Sequence, residues 1–180
     1  MEIWKDNRVV YEGKIVTLRI GDATLDDGSL AHREVIEHGG GVGVAAVVDG
    51  HVILVRQYRI AVGKDVLEIP AGRLEPGEDP ETSARRELRE EVGLEGGTLV
   101  HVASCYCSPG FTNELDHIYI ASGLKSCAAE PEYDENLEIV RLPLDEARAM
   151  LERHEFDDAK TIIALRELFA WLEEHHTERP

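Results

Sequence analysis

The segment from Gly72 to Leu94 constrains this chain more than any other. It sets Gly72, Glu78, Arg86, Glu87, Glu90, Glu91 and Gly93 at fixed intervals, with aliphatic Leu88 and Leu94 in register. Chance would align these Gly and charged residues at a frequency on the order of 10⁻⁷ per starting position. The local chemistry reads as a loop feeding one helix. Asp79 can cap the first N–H groups, and Pro80 suits the first helical position. Gly93 accepts the left-handed conformation that ends a helix. Residues 80–92 between them are rich in Glu, Arg, Ala and Leu, which favour helix. Glu87 stands three residues from Glu90 and four from Glu91, so the three carboxylates share one face. They repel one another unless a cation sits among them. Mg²⁺ or Mn²⁺, which prefer oxygen ligands, fit such a face. Ala84, Leu88 and Val92 form an apolar stripe, expected on the opposing side, that would pack the helix on a sheet. Glu78 and Arg86 can pair across the loop–helix junction.

The whole chain sets bounds. Its 180 residues suit one domain with a small appendage, and 43% apolar with 31% charged residues describe a soluble globular protein. No apolar run approaches membrane-spanning length. The opening Met-Glu-Ile-Trp-Lys-Asp carries neither a basic nor an apolar leader region, so a cytoplasmic protein is expected. A net charge of −17 and the lack of a basic stripe argue against extended nucleic-acid binding. A small phosphorylated ligand remains compatible, because a bound metal inverts the local field. Cys105, Cys107 and Cys127 are an odd set that reads as reduced thiols. Strand alternation would put Cys105 and Cys107 on one face, expected in the core. Neither zinc binding nor thiol catalysis has local support.

Residues 14–25 read as a strand, Asp26-Asp27-Gly28-Ser29 as a turn and residues 30–37 as the return strand. With the first residues they form a small antiparallel unit over 1–38, too small to fold well alone. A main domain is expected over 39–180. Residues 42–48 and 51–57 are apolar strands joined by Asp49-Gly50, a strong hairpin signal. Residues 65–69 are extended, and Pro70 opens the acidic box loop. Strands follow at 98–106, 115–121 and 137–142, and helices at 144–153 and 158–174, the last with Ile162, Ile163, Leu165, Leu168, Phe169 and Leu172 as its apolar set. A mixed α/β (α+β) sheet between helices fits this order.

The box from Gly72 to Leu94 is identified with that of the Nudix hydrolases, which cleave nucleoside diphosphates linked to another moiety. The resemblance implies an α/β/α sandwich and Mg²⁺ (or Mn²⁺) held by Glu87, Glu90, Glu91 and the Ala71 carbonyl. Gly72, Glu78, Arg86 and Gly93 would shape the box. Ser108-Pro109-Gly110, fifteen residues beyond the box, looks like the ADP-ribose pyrophosphatase branch. So do Gln57-Tyr58-Arg59, the Leu67-Glu68-Ile69-Pro70-Ala71-Gly72 approach and the N-terminal unit with Arg33-Glu34-Val35. By that resemblance Arg33, Arg59, Glu68, Pro109 and Gly110 would bind substrate, although a strand-end Glu68 also reads as a surface carboxylate. The branch often exchanges N-terminal strands between subunits, which implies a homodimer.

The implied reaction is metal-assisted water attack on a pyrophosphate, so that ADP-ribose yields AMP and ribose 5-phosphate. The branch often draws its general base from a loop before the last strand, here residues 128–136. Glu135 is the first choice there and Glu132 the second, with Glu90 as the box alternative; Glu91 joins the catalytic set as a ligand. An aromatic platform for the base is open among Trp4, Tyr11, Tyr58 and Phe111, for each of which core packing is the expectation. Two other readings stand beside this one. Within enzymes, the substrate is GDP-mannose or another nucleotide sugar. Outside them, the domain senses nucleotide sugars without turnover, against which stands the intact box.

Overall fold

The computed structural model describes residues 1–128 and 136–176. The chain divides into two compact units. The first joins Met1–Gly40 with Cys105–Leu115, a second segment that the sequence division at residue 38 does not include. Its strands β1 (Ile3–Glu12), β2 (Val16–Thr24) and β3 (Leu30–His38) pair antiparallel in the order β1-β2-β3. The turn after β2 closes because Asp27 Oδ1 accepts from Ser29 N at 2.9 Å, while Gly28 N donates to Leu25 O at 3.0 Å. The Ser108-Pro109-Gly110 turn belongs to this unit. Phe111 N and Thr112 N both donate to Ser108 O, and Ile36 N donates to Phe111 O at 2.7 Å.

Every residue of β1 is exposed. Trp4, Tyr11 and Phe111 here, and Tyr58 in the other unit, are exposed as well, so none of the four is the core residue expected. Three strands cannot cover their own apolar side chains. Cys105 and Cys107 also depart from the core placement: Cys105 is half-buried and Cys107 exposed. The strand that carries Cys105 ends at Tyr106, so alternation no longer governs Cys107.

The second unit holds the remainder. Its elements are β4 (Gly41–Val48), β5 (His51–Arg59), β6 (Lys64–Glu68), β7 (Ala71–Arg73), α1 (Pro80–Val92), β8 (Leu94–Tyr106), β9 (Leu115–Ser126), β10 (Glu138–Pro143), α2 (Leu144–Glu152) and α3 (Ala159–His176). They include all of β8 but its last two residues and all of β9 but its first. The sheet runs β10-β5-β4-β9-β8, with β6 added to β5 and β7 to β4. It is mixed: β4 and β9 are parallel, whereas β5 pairs antiparallel with β4, β6 and β10. Asp49 and Gly50 both take positive φ, 49° and 75°, which turns β4 tightly into β5. β7 is a three-residue strand inside what reads in sequence as loop.

Alternation along the strands builds two cores. Val42, Val44, Ala46, Ile53 and Val55 pack with Ala84, Leu88 and Val92 of α1. Ala45, Val52, Leu54, Ile118 and Ile120 pack with Ala147 and Leu151 of α2 and with Ala164, Leu165, Leu168 and Phe169 of α3. Neighbouring positions of β4 thus serve opposite faces, and the unit is an α/β/α sandwich. Burying a side chain such as Leu88 or Leu168 contributes roughly 1.5–3 kcal/mol.

Candidate active site

The acidic helix forms as its caps dictate. Asp79 is extended at φ −70°, ψ 134° and accepts from Thr82 N at 3.1 Å; Gly93 is left-handed at φ 61°, ψ 43°. The carboxylate face is not opposed to the apolar one. Ser83, Ala84, Glu87, Leu88, Glu91 and Val92 are all buried, and Glu87 and Glu91 are only 7% and 6% exposed. One residue step turns a helix by about 100°, so Glu87 borders Leu88 and Glu91 borders Val92. Packing α1 on the sheet therefore carries these carboxylates down beside β7.

Specific partners hold them there. Ala71 N donates to Glu91 Oε2 at 3.0 Å. Arg86 Nη1 donates to Glu87 Oε1 at 2.7 Å and to Glu90 Oε2 at 3.0 Å. Arg86 also pairs bidentately with Glu78, Nε and Nη2 each 3.1 Å from an oxygen, and Nη2 donates to Arg73 O at 3.1 Å. Glu78 Oε2 in turn accepts from Glu75 N at 3.0 Å. The hydrogen-bonded Arg86 guanidinium holds the Glu78 carboxyl down at about 2, and Arg86 is correspondingly harder to deprotonate. One arginine thus ties the box loop to the helix and steadies two of the three clustered acids.

Gly72 explains its own identity. A Cβ there would lie 1.9 Å from Glu87 Oε1, in space the carboxylate fills. Gly72 pairs with Val42 in the sheet, so the strand cannot simply move aside.

Arg59, at the end of β5, donates from Nε and Nη2 to the two oxygens of Glu68, at 2.7 and 2.9 Å. Glu68 is 3% exposed, so it is not the surface carboxylate its strand-end position suggests. The Glu68 hydrogen bonds strengthen the hold of Arg59 on its proton, against burial, and the charges of Glu91 and Asp158 add to this. The arginine therefore keeps its charge, with Glu68 as its hydrogen-bond partner. Beyond Glu68 lie groups that sequence reasoning missed. Lys160 Nζ is 3.0 Å from Asp158 Oδ1 and 4.0 Å from Glu68 Oε2, and Thr161 is completely buried. The Asp158-x-x-Thr161 spacing is a capping signal at the start of a helix and was the one clue available.

Arg33, Pro109 and Gly110 belong to the other unit. Arg33 makes an exposed bidentate pair with Glu2, at 2.8 and 2.7 Å, and Pro109 and Gly110 are exposed in their turn. Glu132 and Glu135, with the rest of 129–135, lie outside the described residues. Glu90, the alternative base, is half-buried against Arg86.

The chemistry of this donor set fits a hard divalent cation. Glu87, Glu90 and Glu91 offer oxygen ligands only, from one face of α1 beside β7, with Glu87 and Glu90 sharing Arg86 and Glu91 held by Ala71 N. Among the described residues no helix is long and apolar enough to cross a membrane.

Known proteins resemble this chain in sequence and fold. The chain is 40% identical over 162 residues to a methanol dehydrogenase activator of Bacillus methanolicus, a span of 88% of either chain. It is 38% identical over 162 residues to an ADP-ribose pyrophosphatase of Bacillus subtilis, again 88% of each. Among solved structures, an ADP compounds hydrolase superposes with a TM-score of 0.85 at 26% identity, covering 97% of this chain and 95% of that one. The NUDIX domain model matches residues 37–165. With its box, its α/β/α sandwich and these relatives, the chain belongs to the NUDIX family.

Proposed function

We propose that this protein hydrolyses the pyrophosphate bond of ADP-ribose or a related nucleoside diphosphate sugar. With ADP-ribose, one water is consumed and AMP and ribose 5-phosphate are released. The observation that carries this reading is the burial of Glu87 and Glu91 on α1 beside β7, with Glu91 held by Ala71 N and Glu87 and Glu90 joined through Arg86. The relative named ADP-ribose pyrophosphatase supports the substrate class.

Glu87, Glu90, Glu91 and the Ala71 carbonyl would hold Mg²⁺, with Mn²⁺ as a substitute, which would supply neutralisation of phosphate charge and activation of a water. Arg86 keeps Glu87 and Glu90 oriented while Glu78 anchors Arg86. Arg59 binds a phosphate oxygen with the donors that Glu68 leaves unused, and Glu68 fixes its planar fork from behind. Arg33, Pro109 and Gly110 belong to the same reading as substrate-binding residues. Glu135 takes the proton of the attacking water, ahead of Glu132 and Glu90. A Glu135→Gln variant with near-wild-type kcat would remove that assignment.

A homodimer belongs to the same reading. β1 is exposed along its whole length and presents Ile3, Trp4, Val9, Val10 and Tyr11, apolar area that a second copy would cover. Light scattering on the purified protein distinguishes dimer from monomer. A cytoplasmic location belongs to the same reading.

The decisive experiment is parallel turnover of ADP-ribose and GDP-mannose, with Mg²⁺ and with chelator. Metal-dependent AMP well above GMP supports the proposal. The reverse preference keeps the chemistry and replaces the substrate with GDP-mannose. Tight binding of either compound without turnover makes the domain a sensor.

A further inference from the structure

Ala71 sits at the end of a short strap, Glu68-Ile69-Pro70-Ala71, between β6 and β7. Each residue of the strap is held by a different part of the unit. Glu68 is taken by Arg59. Pro70 O accepts from Val44 N at 2.9 Å. Ala71 N donates to Glu91. Ile69 N has passed the last paired residue of β6, and it donates to the hydroxyl of Thr161 at 2.9 Å, 92 residues further along the chain.

Thr161 is itself fixed. Its hydroxyl donates to Asp158 Oδ2 at 2.7 Å, and its N–H donates to the same oxygen at 2.8 Å, so Asp158 caps α3. The other oxygen of Asp158 holds Lys160 at 3.0 Å, and Lys160 faces Glu68 and feels the charge of Asp116. Burial works against the Asp158 charge, but Lys160 and the Thr161 hydrogen bonds outweigh it and keep the carboxyl ionised. The first turn of α3 therefore grips the strap twice, through the Ile69 N–H and through Glu68.

We infer that Asp158, Lys160 and Thr161 form a positioning clamp that sets the Ala71 carbonyl and the Glu68–Arg59 pair against the acidic face of α1. Thr161 is its central positioning residue. The inference rests on the reading of Ala71 and Glu91 as part of a metal centre. A helix otherwise remote from the box would tune ion affinity as partners behind metal ligands do.

The test is Mn²⁺ binding without substrate, followed by electron paramagnetic resonance on wild type, Thr161→Val, Thr161→Ser and Glu91→Gln, with folding checked by circular dichroism. Valine keeps the shape of threonine and removes the hydroxyl, whereas serine keeps the hydroxyl. The expected result is about tenfold weaker Mn²⁺ binding in Thr161→Val, with Thr161→Ser close to wild type. Wild-type affinity in a folded Thr161→Val overturns the clamp, as does equal loss in Thr161→Ser. Should Thr161→Val fail to fold, Asp158→Asn reads the same device, and unchanged affinity there overturns it. Glu91→Gln separates the two levels. If it too leaves Mn²⁺ affinity unchanged, the metal reading falls and takes the clamp with it. If it alone loses affinity, only the clamp falls.

Discussion

Replacing Gly72 by alanine sets packing directly against chemistry. The new methyl would start 1.9 Å from Glu87 Oε1 and 2.0 Å from its carboxyl carbon. Glu87 must then retreat about 1.5 Å to reach ordinary contact. β7 cannot absorb this shift, because Gly72 is paired with Val42 between the Gly41–Arg73 and Gly43–Ala71 pairs. The carboxylate is the part that can move. Removing a glycine also stabilises by roughly 0.4–1 kcal/mol through the unfolded chain, while overpacking costs roughly 1–3 kcal/mol. The net loss is small, and Tm should fall by no more than about 8 °C. Function should suffer far more. Misplacing a catalytic group by 1 Å costs on the order of 10²-fold in rate, and Mn²⁺ affinity should drop at least ~10-fold. Thermal unfolding, Mn²⁺ titration and kcat on ADP-ribose measure the three effects on one sample. A folded Gly72→Ala with kcat and Mn²⁺ affinity within twofold of wild type refutes the argument. So does an unfolded one, which would show that the strand yields rather than the carboxylate.

Other perturbations have equally definite outcomes. Glu91→Gln should lower kcat by orders of magnitude and weaken metal binding, with Tm nearly unchanged, as parallel kinetics and calorimetry would show. Arg59→Lys keeps a charge but loses the fork on Glu68, so KM for ADP-ribose should rise about tenfold with the fold intact. The Glu78–Arg86 pair predicts an acid limb in stability. Because the folded-state pKa of Glu78 is depressed to about 2 from 4.5, its contribution is complete above pH 4.5 and disappears as pH falls towards 2. Linkage caps that contribution at roughly 3 kcal/mol, and solvent screening leaves ~1–2 kcal/mol. Urea unfolding between pH 5 and 2 should show a shallower loss in Glu78→Gln than in wild type. Leu168→Ala should cost roughly 2–5 kcal/mol without touching the site, which supplies a control for changes of stability alone.

What could be read from the sequence was local. The caps at Asp79 and Gly93, the period that gathers Glu87, Glu90 and Glu91, and the Asp49-Gly50 turn each depend on a few neighbouring residues. Backbone geometry and side-chain period determine them before any tertiary contact forms. The apolar run from Val42 to Val48 belongs with them as a strand, whereas its service to two cores appears only in the packed sheet.

Tertiary structure decided everything that depends on which distant groups meet. Only packing shows that Gly72 is needed because Glu87 fills the space of its missing Cβ. Only packing turns Glu68 from a strand-end acid into a buried anchor for Arg59, leaves Trp4 and Tyr11 exposed, and brings Thr161 to the Ile69 N–H. The reason is physical: helix period and turn chemistry act over a handful of residues, whereas burial and hydrogen bonding between remote segments exist only once the sheet has brought those segments together.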